Sequence, residues 1–162
     1  MQPRWRHHGT VPDIVAFRLW PPIAIGLPLV VGLVLTRLWG DPVGLPAAAM
    51  PVGMLLVVLF AIWNGWSLYL FERHGTGLLP GQATEAMISE GPYAVSRNPL
   101  YLGLLVLYLG IALMASSVWA LVLFPLAVVL VEWGAIRPEE RFLRQRFGPA
   151  YEEYAGRVRR WI

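Results

Sequence analysis

Cysteine and lysine are both missing from this sequence, and charge of either sign is scarce. Without cysteine the chain forms no disulfide of its own, offers no thiolate to a metal and has no thiol nucleophile. Without lysine, all 13 basic residues are arginines, and they stand at the ends of apolar runs instead of covering one face. The basic balance therefore does not describe a nucleic-acid-binding surface. Charged residues make up 14% of the 162 positions against 57% hydrophobic, with a mean hydropathy of +0.56. A soluble domain of this size carries more charge, so the apolar excess must face lipid. A G-x-G-x-x-G turn after a strand is also missing, which excludes a soluble dinucleotide-binding fold. His7 and His8 adjoin each other with only distant His74 besides; that is no ligand set, and no metal is expected.

What is present is a series of apolar runs in one membrane-embedded domain, residues 1–162. Met1 to Arg18 is a basic segment suited to anionic headgroups. The first span runs from Trp20 to Trp39, with Pro28 predicting a kink. It is too long for the hydrophobic region of a signal peptide, and it reads as a retained anchor. After a Gly/Pro turn at Gly40 to Pro46, a second run covers Ala47 to Phe71, with Trp63, Trp66 and Tyr69 as an aromatic belt and Asn64 placed for an interhelical hydrogen bond. Glu72 to Arg97 is the one long polar connection, in which Thr84 to Ile88 suggests a short helical turn.

Leu100 to Ala115 and Val118 to Ile136 are separated only by Ser116 and Ser117, which implies a helical hairpin. Gly103 and Gly110 share a face of its first arm and permit close approach, and Pro125 bends the second. From Pro138 onward the pattern is amphipathic, and Gly148 and Pro149 divide it into two short helices. The expected fold is an all-α integral membrane protein with about four transmembrane helices, the last two a hairpin, plus short C-terminal amphipathic helices on the cytoplasmic face. Arg37 alone falls opposite the other arginines when the N-terminus is inside, so both termini are expected in the cytoplasm. The membrane is expected to be the inner or plasma membrane of a prokaryote.

One stretch concentrates special chemistry: GPYAVSRNPLYLG, Gly91 to Gly103. Pro99 suits the first turn of a helix and Asn98 its N-cap, so Tyr93, Arg97, Asn98 and Tyr101 gather at a helix N-terminus, where an anion is favoured. A capped helix with an interfacial arginine and two belt tyrosines reads equally well from these residues alone. The hairpin brings this cluster level with Arg137, Glu139 and Glu140. Together they offer donors for a carboxylate, acceptors for an ammonium or a ribose diol, and aromatic walls. Taken alone, Glu139 and Glu140 also read as dipole compensation after Pro138 with arginine partners one turn on. Glu132 is an ionisable group near the membrane whose role stays open.

GPYAVSRNPLYLG followed by PEERFLRQRFGPAYEEYAGRVRRW resembles the isoprenylcysteine carboxyl methyltransferase family and its relatives, the phospholipid methyltransferases. The shared pattern is GPY, R[HN]PxYxG, a paired Glu, a Leu, FG, two tyrosines and a V-x-R, and it covers residues 91–162. The resemblance implies an S-adenosylmethionine-dependent enzyme that methylates a lipophilic acceptor, either a prenylcysteine-type carboxylate or a lipid amine, at the cytoplasmic face. It implies that Arg97, Asn98 and Tyr101 line the methionyl end of the cofactor, with Tyr93 and Gly103 of the same motif beside them. Glu139 and Glu140 would accept from the ribose hydroxyls or the amino group. Asn98 stands where His is commoner and cannot titrate near neutrality, which removes acid–base work from that position. As catalytic residues the resemblance points to Arg97, Arg137 and Glu140: the arginines to hold an acceptor carboxylate, or Glu140 to take a proton from an amine. Two other readings stay open, an NADPH-dependent sterol-reductase-like enzyme and a non-catalytic small membrane protein or transporter.

Overall fold

The computed structural model describes residues 17–74 and 88–162. The basic segment before Phe17, including His7 and His8, lies outside them, as does the helical turn expected from Thr84 apart from Ile88. Among the described residues every regular element is a helix. α1 spans Pro21–Trp39, α2 Ala49–Arg73, α3 Pro92–Val95, α4 Pro99–Met114, α5 Val118–Val131, α6 Arg137–Phe147 and α7 Pro149–Arg157, with a π-helical turn at Glu132–Ile136 joining α5 to α6. Three helices are long and apolar enough to cross a membrane: α1, α2 and the continuous helix Val118–Phe147; α4 is a shorter apolar helix. The protein is an all-α integral membrane protein. Both α1 and α5 run on through their internal prolines, Pro28 and Pro125.

The hairpin of α4 and α5 is the centre. α2 packs along α4 and α1 along α5, while among the described residues the backbones of α1 and α2 do not come close. Small residues make these approaches possible, since lipid supplies no hydrophobic drive between helices and backbone proximity must. Ala24, Ala112, Ala120 and Ala127 are fully buried in the α1–α4–α5 core, and Tyr108 donates to the Ala120 carbonyl at 2.8 Å across the hairpin. On α4, Gly103 meets Asn64 and Gly110 meets the Gly53 carbonyl, both on α2.

At the hairpin tip, Ser116 takes a positive φ of 53° and the Ser117 side chain caps α5 by accepting from Ala120 N at 3.1 Å. Asp41 accepts from Val118 N at 2.8 Å, and Trp119 donates to the Gly40 carbonyl at 2.9 Å. These bonds pin the connection between α1 and α2 to the N-terminus of α5, where a carboxylate complements the helix dipole. The opposite end of the bundle carries the start of α1, the end of α2, the start of α4 and α6, and with them the polar residues singled out by the sequence.

Candidate functional site

Pro138 has no N–H, so the Gly134 carbonyl four residues earlier cannot be used by an α-helix. The helix widens instead, and the Arg137 N–H reaches back to the Glu132 carbonyl, one residue further than an α-helix allows. The freed Gly134 carbonyl accepts from Arg18 N at 2.9 Å and Leu19 N at 3.2 Å, which fixes the entry to α1. Glycine is required there, because a Cβ would come within 2.7 Å of the Leu19 Cβ. The widened turn also brings residues five apart onto one face. Arg137 thereby bonds Glu132 Oε1 through Nη2 at 2.9 Å and Nε at 3.2 Å, and lies 3.7 Å over the Trp133 ring.

The loop before α4 is held by the segment after α7. Arg97 N donates to the Arg159 carbonyl at 3.0 Å, and the Arg160 carbonyl accepts from Asn98 Nδ2 at 3.0 Å and Ser96 Oγ at 3.2 Å. Asn98 therefore occupies the N-cap position without capping α4: its carboxamide is spent on Arg160, and no side-chain cap is formed. Tyr154 donates to the Tyr93 carbonyl at 2.7 Å. The first turn of α4 is stitched to α2 by Trp63 Nε1 on the Pro99 carbonyl at 2.9 Å and Asn64 Nδ2 on the Leu100 carbonyl at 3.3 Å.

The two halves of the motif converge. Arg97 Nη2 lies 3.4 Å from Glu140 Oε1, and Tyr101 donates to Glu139 Oε2 at 2.8 Å. Glu140 is 3% exposed, and a second guanidinium clamps both its oxygens: Arg160 Nε on Oε1 at 3.0 Å and Nη2 on Oε2 at 2.8 Å. Arg160 Nη1 also reaches Glu132 Oε1 at 3.1 Å. A continuous ion network thus runs Arg137–Glu132–Arg160–Glu140–Arg97. The arginine partners of Glu140 come from across the fold, not from one turn along its own helix. Arg97 and Arg137, paired in the sequence reading, are joined only through the intervening groups. Gly103 faces α2, where Asn64 Oδ1 fills the place of its absent side chain.

Arg160 entered the sequence reading only as the end of V-x-R and as one more cytoplasmic arginine; that V-x-R element was the available signal. The Glu140 hydrogen bond holds the Arg160 guanidinium above its ordinary pKa. Burial pushes the Tyr93 hydroxyl well up, and Glu139 adds to the shift; burial likewise raises Tyr154. Two buried polar atoms here have no partner among the described residues, Tyr93 Oη and Arg97 Nε. A buried donor left unmade costs on the order of 1–3 kcal/mol, so such atoms mark where a ligand would bond.

A family model described as phospholipid methyltransferase matches residues 48–150. A protein-S-isoprenylcysteine O-methyltransferase B of Arabidopsis thaliana is 30% identical over 65% of this chain and 55% of its own length. A probable protein-S-isoprenylcysteine O-methyltransferase of Oryza sativa subsp. indica is 39% identical over 66% of this chain and 57% of its own. A nickel-cobalt-cadmium resistance protein NccN of Alcaligenes xylosoxydans xylosoxydans is 31% identical over 73% of this chain and 51% of its own. The chain spans about half the length of the curated relatives it matches. No solved structure matches it. Among the described residues no three His, Asp or Glu side chains stand together as a metal-holding group.

Proposed function

The chain belongs to the phospholipid methyltransferase family, and from that premise we propose that it is an S-adenosylmethionine-dependent methyltransferase acting on a lipophilic acceptor at the cytoplasmic face of its membrane. The observation that carries the reading is the meeting of Arg97 with Glu140, and of Tyr101 with Glu139, at one end of the hairpin.

The residues present fit the cofactor. Arg97 Nε, without a hydrogen-bond partner among the described residues, is a donor for a carboxylate, and the Tyr93 hydroxyl, likewise unpartnered among them, can donate or accept. Arg97, Asn98, Tyr93 and Tyr101 would hold its methionyl end, with Asn98 acting by gripping the 160 carbonyl. Glu139 and Glu140 would take its ribose hydroxyls or amino group, and Gly103 sets the position of α4 against α2 that aims Tyr101. When bound, the sulfonium supplies an electrophilic methyl carbon. The chain's own residues then align the acceptor, exclude water and balance changing charge.

For a carboxylate acceptor, Arg137 would supply a forked donor by exchanging Glu132 for it, with Arg97 adding positive charge. Both Glu140 oxygens are already engaged by guanidinium groups, which favours an acceptor that needs no proton removed, a carboxylate over an amine. The arginines at the site end of the bundle, against Arg37 at the other, support a cytoplasmic site with both termini on that side, in the inner or plasma membrane of a prokaryote.

The test is incubation of the purified protein in lipid nanodiscs with labelled S-adenosylmethionine and a panel of prenylcysteines and phosphatidylethanolamine. Label is expected on a prenylcysteine-type ester, and calorimetry should show S-adenosylhomocysteine binding. No transfer, no heat with that ligand and binding of NADPH would overturn the reading in favour of a reductase.

A further inference from the structure

Arg160 reaches Glu140 and Glu132 with one guanidinium, using Nε and Nη2 on the first and Nη1 on the second. A planar fork of this kind fixes a carboxylate in direction as well as in place, which a lysine cannot do. Its own backbone is held in turn: the Arg160 carbonyl accepts from Ser96 Oγ and Asn98 Nδ2, and the neighbouring carbonyl of Arg159 accepts from Arg97 N. The side chain is about one-third exposed while its partner Glu140 is 3% exposed, so the contact that matters lies on the inner, desolvated edge.

Glu132 sets where that fork can sit. The π-turn forced by Pro138 swings Arg137 over Glu132, and the same Oε1 takes Arg160. Arg160 is therefore suspended between an acid at the end of α5 and an acid in the first turn of α6, across a turn whose geometry is already special.

Resting on the methyltransferase reading above, we propose that Arg160 is a positioning residue. It fixes the Glu140 carboxylate for the cofactor, with Glu132 as its counter-anchor, and Asn98 clasps it to the Arg97 loop. This gives the asparagine a task that needs no titration. Arg160 acts through Glu140, and Asn98 acts through Arg160.

The experiment uses the full chain in nanodiscs, with Arg160→Met and Arg160→Lys, each made alone and in a Glu140→Gln background. Calorimetry reads the Kd for S-adenosylhomocysteine, methyl transfer reads KM and kcat, and thermal unfolding reports folding. Arg160→Met is expected to raise Kd and cofactor KM about tenfold, the loss of one charge-assisted fork. Arg160→Lys keeps the charge and the fold but should recover only part of that binding. In the Glu140→Gln background neither change should weaken binding further, because the effect runs through the missing carboxylate. Wild-type Kd in Arg160→Met or in Arg160→Lys overturns the assignment, and so do losses that simply multiply in the double variants. A wild-type protein that neither binds S-adenosylhomocysteine nor transfers methyl sinks the methyltransferase reading and this inference with it; an active protein indifferent to Arg160 sinks this inference alone.

Discussion

The Tyr101 hydroxyl donates to Glu139 Oε2 at 2.8 Å although the two residues stand 38 positions apart in the chain. The bond joins the first turn of α4 to the first turn of α6. Tyr101→Phe keeps the ring packed and removes only that bond. A typical hydrogen bond contributes about 0.5–1.5 kcal/mol net, so S-adenosylhomocysteine is expected to bind up to roughly tenfold more weakly. Titration calorimetry checks this, and an unchanged Kd would take Tyr101 out of the cofactor's surroundings.

Glu140→Gln leaves Arg97 and Arg160 facing each other without an anion between them. Breaking a buried pair from one side costs about 3–5 kcal/mol. The partial exposure of Arg160 lowers that to about 2 kcal/mol by screening. The denaturation midpoint in detergent should fall accordingly and methyl transfer should disappear. A midpoint that does not move would mean that solvent already screens the network.

Gly103→Ala drives a methyl group into the Asn64 carboxamide. Overpacking of this kind costs about 1–3 kcal/mol. The companion change Asn64→Ala should restore much of the lost stability, because it opens the space that the new methyl needs. Thermal unfolding of the two single variants and the double variant tests the pair, and strict additivity would rule the contact out.

Pro138→Ala returns an N–H to position 138, where the Gly134 carbonyl can take it and close an ordinary α-turn. Arg137 then turns away from Glu132, and Arg18 and Leu19 lose their shared acceptor. Methyl transfer is expected to fall about tenfold or more through misplacement of α6, with helical content kept. Full activity in this variant, with an unchanged circular dichroism spectrum, would show that the widened turn does not aim the site.

The spans were legible because apolar length is a property of consecutive residues. The four runs read from hydropathy lie within two residues of α1, α2, α4 and the α5-to-π-turn segment at each end. The hairpin tip at Ser116–Ser117, the division at Gly148–Pro149 and the donor role of Asn64 all follow from local composition and are all present. The meeting of the two motif halves was legible from the hairpin, since equal arms return the chain to the same level.

What the sequence hid is set by partners distant along the chain. Asn98 looks like an N-cap because capping rules consider only the next three residues, but its partner is the carbonyl of Arg160, 62 positions on. The resemblance sets Arg137 beside Arg97 to hold one acceptor carboxylate, while in the fold its Nε and Nη2 bond Glu132 across the π-turn. Pro138 looks like the start of a new helix, and instead the helix continues through it with one wider turn.

Since the backbones of α1 and α2 do not approach one another among the described residues, these two crossings draw their packing from other helices. Gly32 is shaped for Ala120 on α5, and Gly53 for Gly110 and Met114 on α4, so both notches face lipid until the later hairpin wedges between them. The hairpin is therefore the keystone of the described bundle, giving each of the two outer helices the surface that its notch fits.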